Sequence, residues 1–337
     1  MPVSFLIRRL LLLVPMLFGV TVVAFVVSHL IPGDPAAVNL GQYAMSDPKI
    51  VASYRHQWGL DQPLPVQFVD YLGRLLHGDL GISQQTHRPV LTDLRDYLPA
   101  TAELAIAAVL ISIVVGIPLG IVSAVHHRKL PDHLSRLLAL MGVSVPVFWL
   151  GLVALDVFYV HFSWLPGPGR LDESLTAPRT ITGLFTVDSL LTGNWADLKS
   201  SLGHLILPAV VLSGFSTGLF TRITRSAMLE VLGRHYIRTA RAKGLVGWRV
   251  ILGHALPNAL IPTLTSVGLA FANLMTGAVL AEIVFDWPGI GRYAFQAATN
   301  LDFPAIMGVT LLIAFTYIMI NLVVDILYGF VDPRIRA

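Results

Sequence analysis

The chain has 337 residues, of which 55% are hydrophobic and 13% charged, with a formal net charge of +3. An ordinary soluble domain is roughly a quarter charged, so this composition excludes soluble enzymes and disordered scaffolds and points to a polytopic helical membrane protein. Cysteine is absent, which removes disulfide frameworks, thiolate zinc sites and cysteine nucleophiles.

A spanning helix needs about 20 mostly apolar residues. Six stretches qualify: 10–31, 100–125, 137–161, 205–223, 260–280 and 305–329. The first follows Arg8 and Arg9. It ends in Ser28-His29-Leu30-Ile31-Pro32-Gly33-Asp34, which holds no small-x-small cleavage site, so it reads as an uncleaved helix rather than a signal peptide. The stretch from 32 to 99 is too long for a bare connector. Within it, 65–77 places Phe68, Tyr71, Leu72, Leu75 and Leu76 at helical spacing, which predicts a small external cap. Asp61-Gln62-Pro63 marks a turn before it. The third span carries Asp156 and the sixth Asp325; ionisable groups are costly there, and both read as structural pairs or pathway wall, Asp325 within reach of Arg334. A second long loop, 162–204, opens on the turn Trp164-Leu165-Pro166-Gly167-Pro168-Gly169. Gly116, Pro118, Gly120, Pro146, Gly151, Gly214 and Gly218 lie inside spans and read as helix-packing positions.

Charge orients these spans. With the N-terminus inside, the inner segments 1–9, 126–136, 224–259 and 330–337, together with Arg222, hold 14 of the 23 Lys and Arg residues; their acids are Asp132, Glu230 and Asp332. Short cytoplasmic loops carry such an excess of cations, so both termini are expected inside. The domain reading follows: 1–99 is a first helix with its extracytoplasmic cap, and 100–337 is a five-helix core with a cationic inner loop at 224–259.

Catalytic signatures are missing. A P-loop needs Gly-Lys-Ser/Thr; of Lys49, Lys129, Lys199 and Lys243, Lys199 alone precedes Ser or Thr, and Leu198 stands where the glycine belongs. No His-Glu-x-x-His or Gly-x-Ser-x-Gly pattern occurs. No catalytic residue, metal ligand or resident cofactor is assigned, and nothing points to nucleic acid.

The most informative stretch is 224–262. Read as a helix, Arg234, Arg238 and Arg241 form a cationic stripe, and Ile237, Ala240, Gly244 and Trp248 form a second stripe of small and apolar residues. Gly244 and Gly247 are placed to end one helix and start another. By pattern alone, a short helix that docks into a partner's groove and a basic helix lying on lipid phosphates stand level.

The same stretch resembles the EAA loop of ABC importer permeases, whose pattern is Glu-Ala-Ala, three residues, Gly, nine residues, then Ile-x-Leu-Pro. Here Arg238-Thr239-Ala240 takes the first slot, Gly244 the glycine and Leu256-Pro257 the end, while His254 stands where the pattern has Ile. Tyr236-Ile237-Arg238-Thr239-Ala240-Arg241 is similar to the dipeptide, oligopeptide and nickel branch, and to its B-type dipeptide permeases above all. So are Phe5-Leu6-Ile7-Arg8-Arg9, Ile31-Pro32-Gly33-Asp34-Pro35, Gly59-Leu60-Asp61-Gln62-Pro63, His77-Gly78-Asp79-Leu80-Gly81-Ile82-Ser83, Phe285-Asp286-Trp287-Pro288-Gly289-Ile290-Gly291 and Asp332-Pro333-Arg334-Ile335-Arg336.

That resemblance implies an all-α type I importer fold in a bacterial inner membrane. It implies a second homologous permease, two ATP-binding subunits carrying the ATP and Mg, and an extracytoplasmic substrate-binding protein, with lipid around them. The chain would be a transport subunit for short peptides, with nickel, glutathione or oligopeptides as alternatives. The helix around 236–244 would couple it to an ATPase. Asp156, Ser213, Ser216, Thr217 and Asn273 are candidates to line the pathway. A stand-alone ion-coupled carrier is the competing reading; it predicts an inverted repeat, and none is evident.

Overall fold

A computed structural model describes residues 3–30, 36, 40 and 46–331. The motifs at 31–35 and 332–336 lie outside the described residues, as do the side chains of Arg8, Arg9 and Asp325. Among the described residues the fold is helical, with a single isolated bridge between Ile82 and Pro89. Two compact units form: residues 1–101 with 288–318, and residues 102–287 with 319–337.

The first unit contains α1 (Val3–Leu30), α2 (Pro48–Gln57), α3 (Leu64–Leu76), the start of α4 (Val90–Val125), then α13 (Ile290–Thr299) and the start of α14 (Phe303–Val331). Pro65 pre-sets the first turn of α3. From there part of the predicted apolar stripe turns inward: Phe68, Tyr71 and Leu75 pack with Phe25, Leu301, Phe303 and Met307, while Leu76 is 81% exposed. Burial pushes the Tyr71 phenol up to about 12. A second cluster gathers Val90, Leu94, Ile290, Tyr293, Ala297, Ala305 and Val309. Buried carboxylates tie this unit together. Asp93 accepts from the Thr86 hydroxyl at 2.6 Å and the Tyr293 hydroxyl at 3.1 Å. Asp302 accepts from the Ser83 hydroxyl at 2.5 Å and the Gln85 amide at 3.2 Å.

The second unit contains the rest of α4, then α5 (Leu130–Ser144), α6 (Val147–Ala154, continued by a π-helical stretch Leu155–His161), α7 (Phe185–Thr192), α8 (Trp195–Leu232), α9 (His235–Ala242), α10 (Gly247–Arg249), α11 (Leu256–Gly277) and α12 (Val279–Val284). A second π-helical stretch, Val250–Ala255, joins α10 to α11.

Four continuous helical segments are long and apolar enough to cross a membrane: Val90–Val125, Trp195–Leu232, Gly247–Thr276 and Phe303–Val324. They contain the predicted second and fourth spans and overlap most of the fifth and sixth, the helix of the fifth stopping at Gly277 rather than running to 280, and the first corresponds to the apolar stretch Leu11–Val26 within α1. The third prediction needs correction. Instead of one helix over 137–161, α5 and α6 meet at a bend of 102°. Pro146 is the cause: it lacks an amide for the helical ladder and drives the preceding Val145 into extended backbone at φ −87° and ψ 127°. Pro146 is therefore a break rather than a packing position.

Several in-span glycines do mark close packing. A Cβ added to Gly116 would lie 2.9 Å from the Thr217 carbonyl oxygen, and one on Gly120 would lie 2.7 Å from Thr224 Cβ. So α4 and α8 touch backbone to backbone, and the Thr221 hydroxyl donates across them to the Gly116 carbonyl at 3.2 Å. On its other side α8 meets α5 at Gly214 and Gly218, opposite Gly142 and Ala139. Apolar area drives little association inside lipid, so this close approach supplies the packing.

The loop from 162 to 194 is held by a buried ion pair absent from the sequence reading. Arg170 donates to Glu103 of α4 at 2.5 Å, and both side chains are buried. The Glu103 carboxylate also accepts the Thr186 amide at 2.8 Å and its hydroxyl at 2.7 Å. The Arg170 guanidinium lies 3.7 Å over the Phe185 ring. Asp188 gathers the amides of Ile181, Thr182 and Gly183. Burial works against the Asp188 charge, but the Thr182 hydroxyl and these amides outweigh it and hold the carboxyl below its usual range. Removing Glu103 strands a buried guanidinium, so Glu103→Ala is expected to cost about 3–5 kcal/mol, read as a lower melting temperature of the purified protein in detergent.

Candidate functional site

Residues 224–262 build a compact platform. The last turn of α8 ends at Gly233, and Arg234 adopts extended backbone as the N-cap of α9. Eight residues of helix follow. Gly244 then turns the chain in the left-handed region at φ +78°, its amide reaching back to the Arg241 carbonyl at 3.0 Å. No atom lies within 4 Å of a Cβ added there, so backbone conformation rather than space calls for glycine at 244. Gly247 opens α10, as its predicted role as a helix start requires.

The two faces of α9 differ. Ile237 is fully buried and Ala240 is 8% exposed. They pack with Ala124, Met228, Val250, Ala255 and Ala259, and Leu256 joins the same cluster. The start of α11 thus supports α9 on its buried face, with Pro257 exposed in its first turn. On the opposite face Tyr236, Arg238, Thr239, Arg241 and Lys243 are exposed. Val246, Trp248 and Leu252 extend this surface with exposed apolar groups, and Arg249 lies 5.3 Å over the Trp248 ring.

Both predicted stripes need correction. Arg234 precedes the helix and pairs with Glu230, so the cationic stripe on α9 is Arg238 and Arg241. The small-residue stripe is divided: Ile237 and Ala240 face the chain's own core, while Gly244 and Trp248 are exposed. The face free to meet another molecule is cationic and aromatic, because the apolar stripe is spent on anchoring the helix.

A buried charge pair stiffens the neighbouring turn. Asp132, at the start of α5, takes two bonds from Arg225 of α8, at 2.8 and 2.9 Å. It also accepts from the Ser123 hydroxyl at 2.6 Å and the Arg128 amide at 2.9 Å. The sequence counts Asp132 among the inner-loop acids without announcing its pairing with Arg225, and Glu103 and Arg170 were passed over. A signal for Glu103 existed, since it is an ionisable residue inside the predicted second span.

The pathway candidates differ in exposure. Ser213 and Ser216 are buried in α8, the Ser213 hydroxyl donating to the Val210 carbonyl at 2.7 Å and its carbonyl accepting from Ser112 of α4 at 3.2 Å. Thr217 is half-buried, with its backbone against Gly116. Asn273 on α11 is exposed. Asp156 is also exposed, 3.6 Å from the His161 ring within one π-helical stretch.

Comparison with known proteins bears on this arrangement. A family model described as the binding-protein-dependent transport system inner membrane component matches residues 116–337, and its N-terminal companion matches residues 2–105. The probable D,D-dipeptide transport system permease protein DdpB of Escherichia coli K12 is 52% identical, covering 96% of this chain and 94% of its own. The dipeptide transport system permease protein DppB of Alkalihalophilus pseudofirmus is 45% identical, covering 98% of both chains. The glutathione transport system permease protein GsiC of Escherichia coli is 37% identical, covering 99% of both. A chain of the MetNI methionine ABC transporter, solved in inward-facing conformations, shares the fold with a TM-score of 0.52 at 15% identity, over 72% of this chain and 97% of its own.

Proposed function

Because the chain belongs to the family of inner-membrane components of binding-protein-dependent transport systems, we propose that it is one of two permease subunits of an ATP-driven importer of short peptides. Family members are transport subunits rather than enzymes and work with ATPase partners, a substrate-binding protein and a second permease. In the proposed assembly two ATPases lie under two permeases, the binding protein delivers cargo from the opposite side, and both termini of this chain are cytoplasmic. Dipeptides are the first cargo class, supported by relatives named for dipeptides at 52% and 45% identity.

The observation that carries this reading is the mounting of α9. Its buried face, Ile237 and Ala240, is packed against α11 and the end of α8. Its outer face, with Tyr236, Arg238, Thr239 and Arg241, is exposed. A push on the outer face is therefore transmitted to two crossing-length helices as a rigid body. Gly244, Leu256 and Pro257 shape the turn and the support that keep the helix in place. ATP-driven closure shifts the permease between its two facing states only through contacts that differ between them, and this exposed face is where an ATPase would make them. Asp156, Ser213, Ser216, Thr217 and Asn273 remain pathway positions in this proposal.

Reconstitution tests it. Proteoliposomes holding the complete complex should take up a labelled dipeptide when ATP is inside and the binding protein outside, and lose uptake when either is omitted. Uptake by this chain alone, driven by an ion gradient without ATP, would overturn the proposal. Competition by L,L- and D,D-dipeptides, glutathione and nickel complexes then ranks the cargo.

A further inference from the structure

A cavity of about 570 Å³ opens between α5 and the final third of α8. Its wall is sorted by chemistry. At one level stand Arg136 and Arg222 with His133, all exposed. Arg225 is beside them but is held by Asp132. Among the described residues no carboxylate engages Arg136 or Arg222. From the next residue on, and over two turns of α5, the wall becomes Leu137, Leu140 and Val143, with Leu137 54% and Leu140 60% exposed. From Arg136 to Val143 a helix rises about 10 Å.

Two unpaired guanidinium groups at one end and an aliphatic wall running away from them match a molecule with an anionic head and a hydrocarbon tail. We propose that this cavity binds an anionic phospholipid of the cytoplasmic leaflet, its phosphodiester on Arg136 and Arg222 and an acyl chain along Leu137, Leu140 and Val143. Arginine suits phosphate because its planar fork donates two bonds at once. Basic pockets between membrane helices on the cytoplasmic side recognise such headgroups. The bound lipid would brace α5 against α8 one turn from the Asp132–Arg225 pair, and so steady the end of α8 that leads into α9. The leaflet assignment rests on the orientation proposed above.

The test uses the complete transporter in nanodiscs of phosphatidylcholine with a minor fraction of phosphatidylglycerol, transferred to mild detergent, with retained lipids counted by native mass spectrometry. Phosphatidylglycerol should be retained selectively. R136Q with R222Q should lower that retention by about 30-fold, two surface guanidinium contacts being lost. Leu140→Trp, which fills the groove and keeps its charge, should also reduce it. Unchanged retention in both variants overturns the site. An equal loss from Lys129→Gln, an exposed cation outside the cavity, overturns it in favour of a diffuse basic surface. Displacement of the lipid by a dipeptide overturns it in favour of cargo. Orientation is read separately from labelling of a cysteine placed at His126, the chain having none of its own, so a wrong leaflet and a wrong ligand give different results.

Discussion

Tyr236→Ala combined with Arg241→Glu is expected to reduce ATP-dependent uptake by at least about tenfold, since exposed tyrosine and arginine are the residue types that carry most interface energy. Both side chains lie on the outer face of α9 and neither contributes to the cluster beneath it. The purified variant should therefore keep its melting temperature while its ATPase subunits dissociate on size exclusion. Full uptake with an intact complex would remove the coupling role from this helix. Ala240→Asp would not give the same information. Ala240 packs against Met228, Val250 and Ala255, and a carboxylate there is buried without a partner, at a cost of several kcal/mol. That variant loses the helix before it loses the partner.

Gly218→Leu should strongly disrupt the packing of α5 on α8. A Cβ at 218 already meets the Ala139 backbone and would lie 2.8 Å from Val143 Cγ2, so α5 has to move away from α8. Forced overpacking costs about 1–3 kcal/mol in ordinary cores, and the backbone contact places this variant at the upper end, about 3 kcal/mol. The expected readout is a melting temperature lowered by several degrees and a low yield of folded protein. Gly73→Ala is the matching control. No atom lies within 4 Å of its added Cβ, and alanine in mid-helix is favoured over glycine by about 0.5–1 kcal/mol. A stable Gly218→Leu would mean that the α5–α8 approach is looser than described.

The sequence was legible where physics is local. Low charge and long apolar stretches specify a helical membrane protein because unsatisfied backbone groups in hydrocarbon leave few other options. The stripe of α3 was readable because Phe68, Tyr71 and Leu75 recur at the helical period. The end of α9 at Gly244 was readable because a left-handed turn favours glycine. The motif at 236–257 and the family match agree on the kind of protein.

Tertiary structure decided what depends on residues far apart in the chain. Helical spacing groups Ile237 with Gly244 and Trp248, but it does not say that Met228, Val250 and Ala255 cover Ile237 and leave Trp248 bare. Pro146 read like Pro118, yet Pro118 sits inside the continuous α4, while at Val145 and Pro146 the backbone is extended and the helix breaks. Glu103 and Arg170 are separated by 67 positions, as Asp132 and Arg225 are by 93. Neither pairing has a local period to announce it. A charge becomes tolerable in a buried site only when a counter-charge arrives there, and where it arrives is set by how the helices pack.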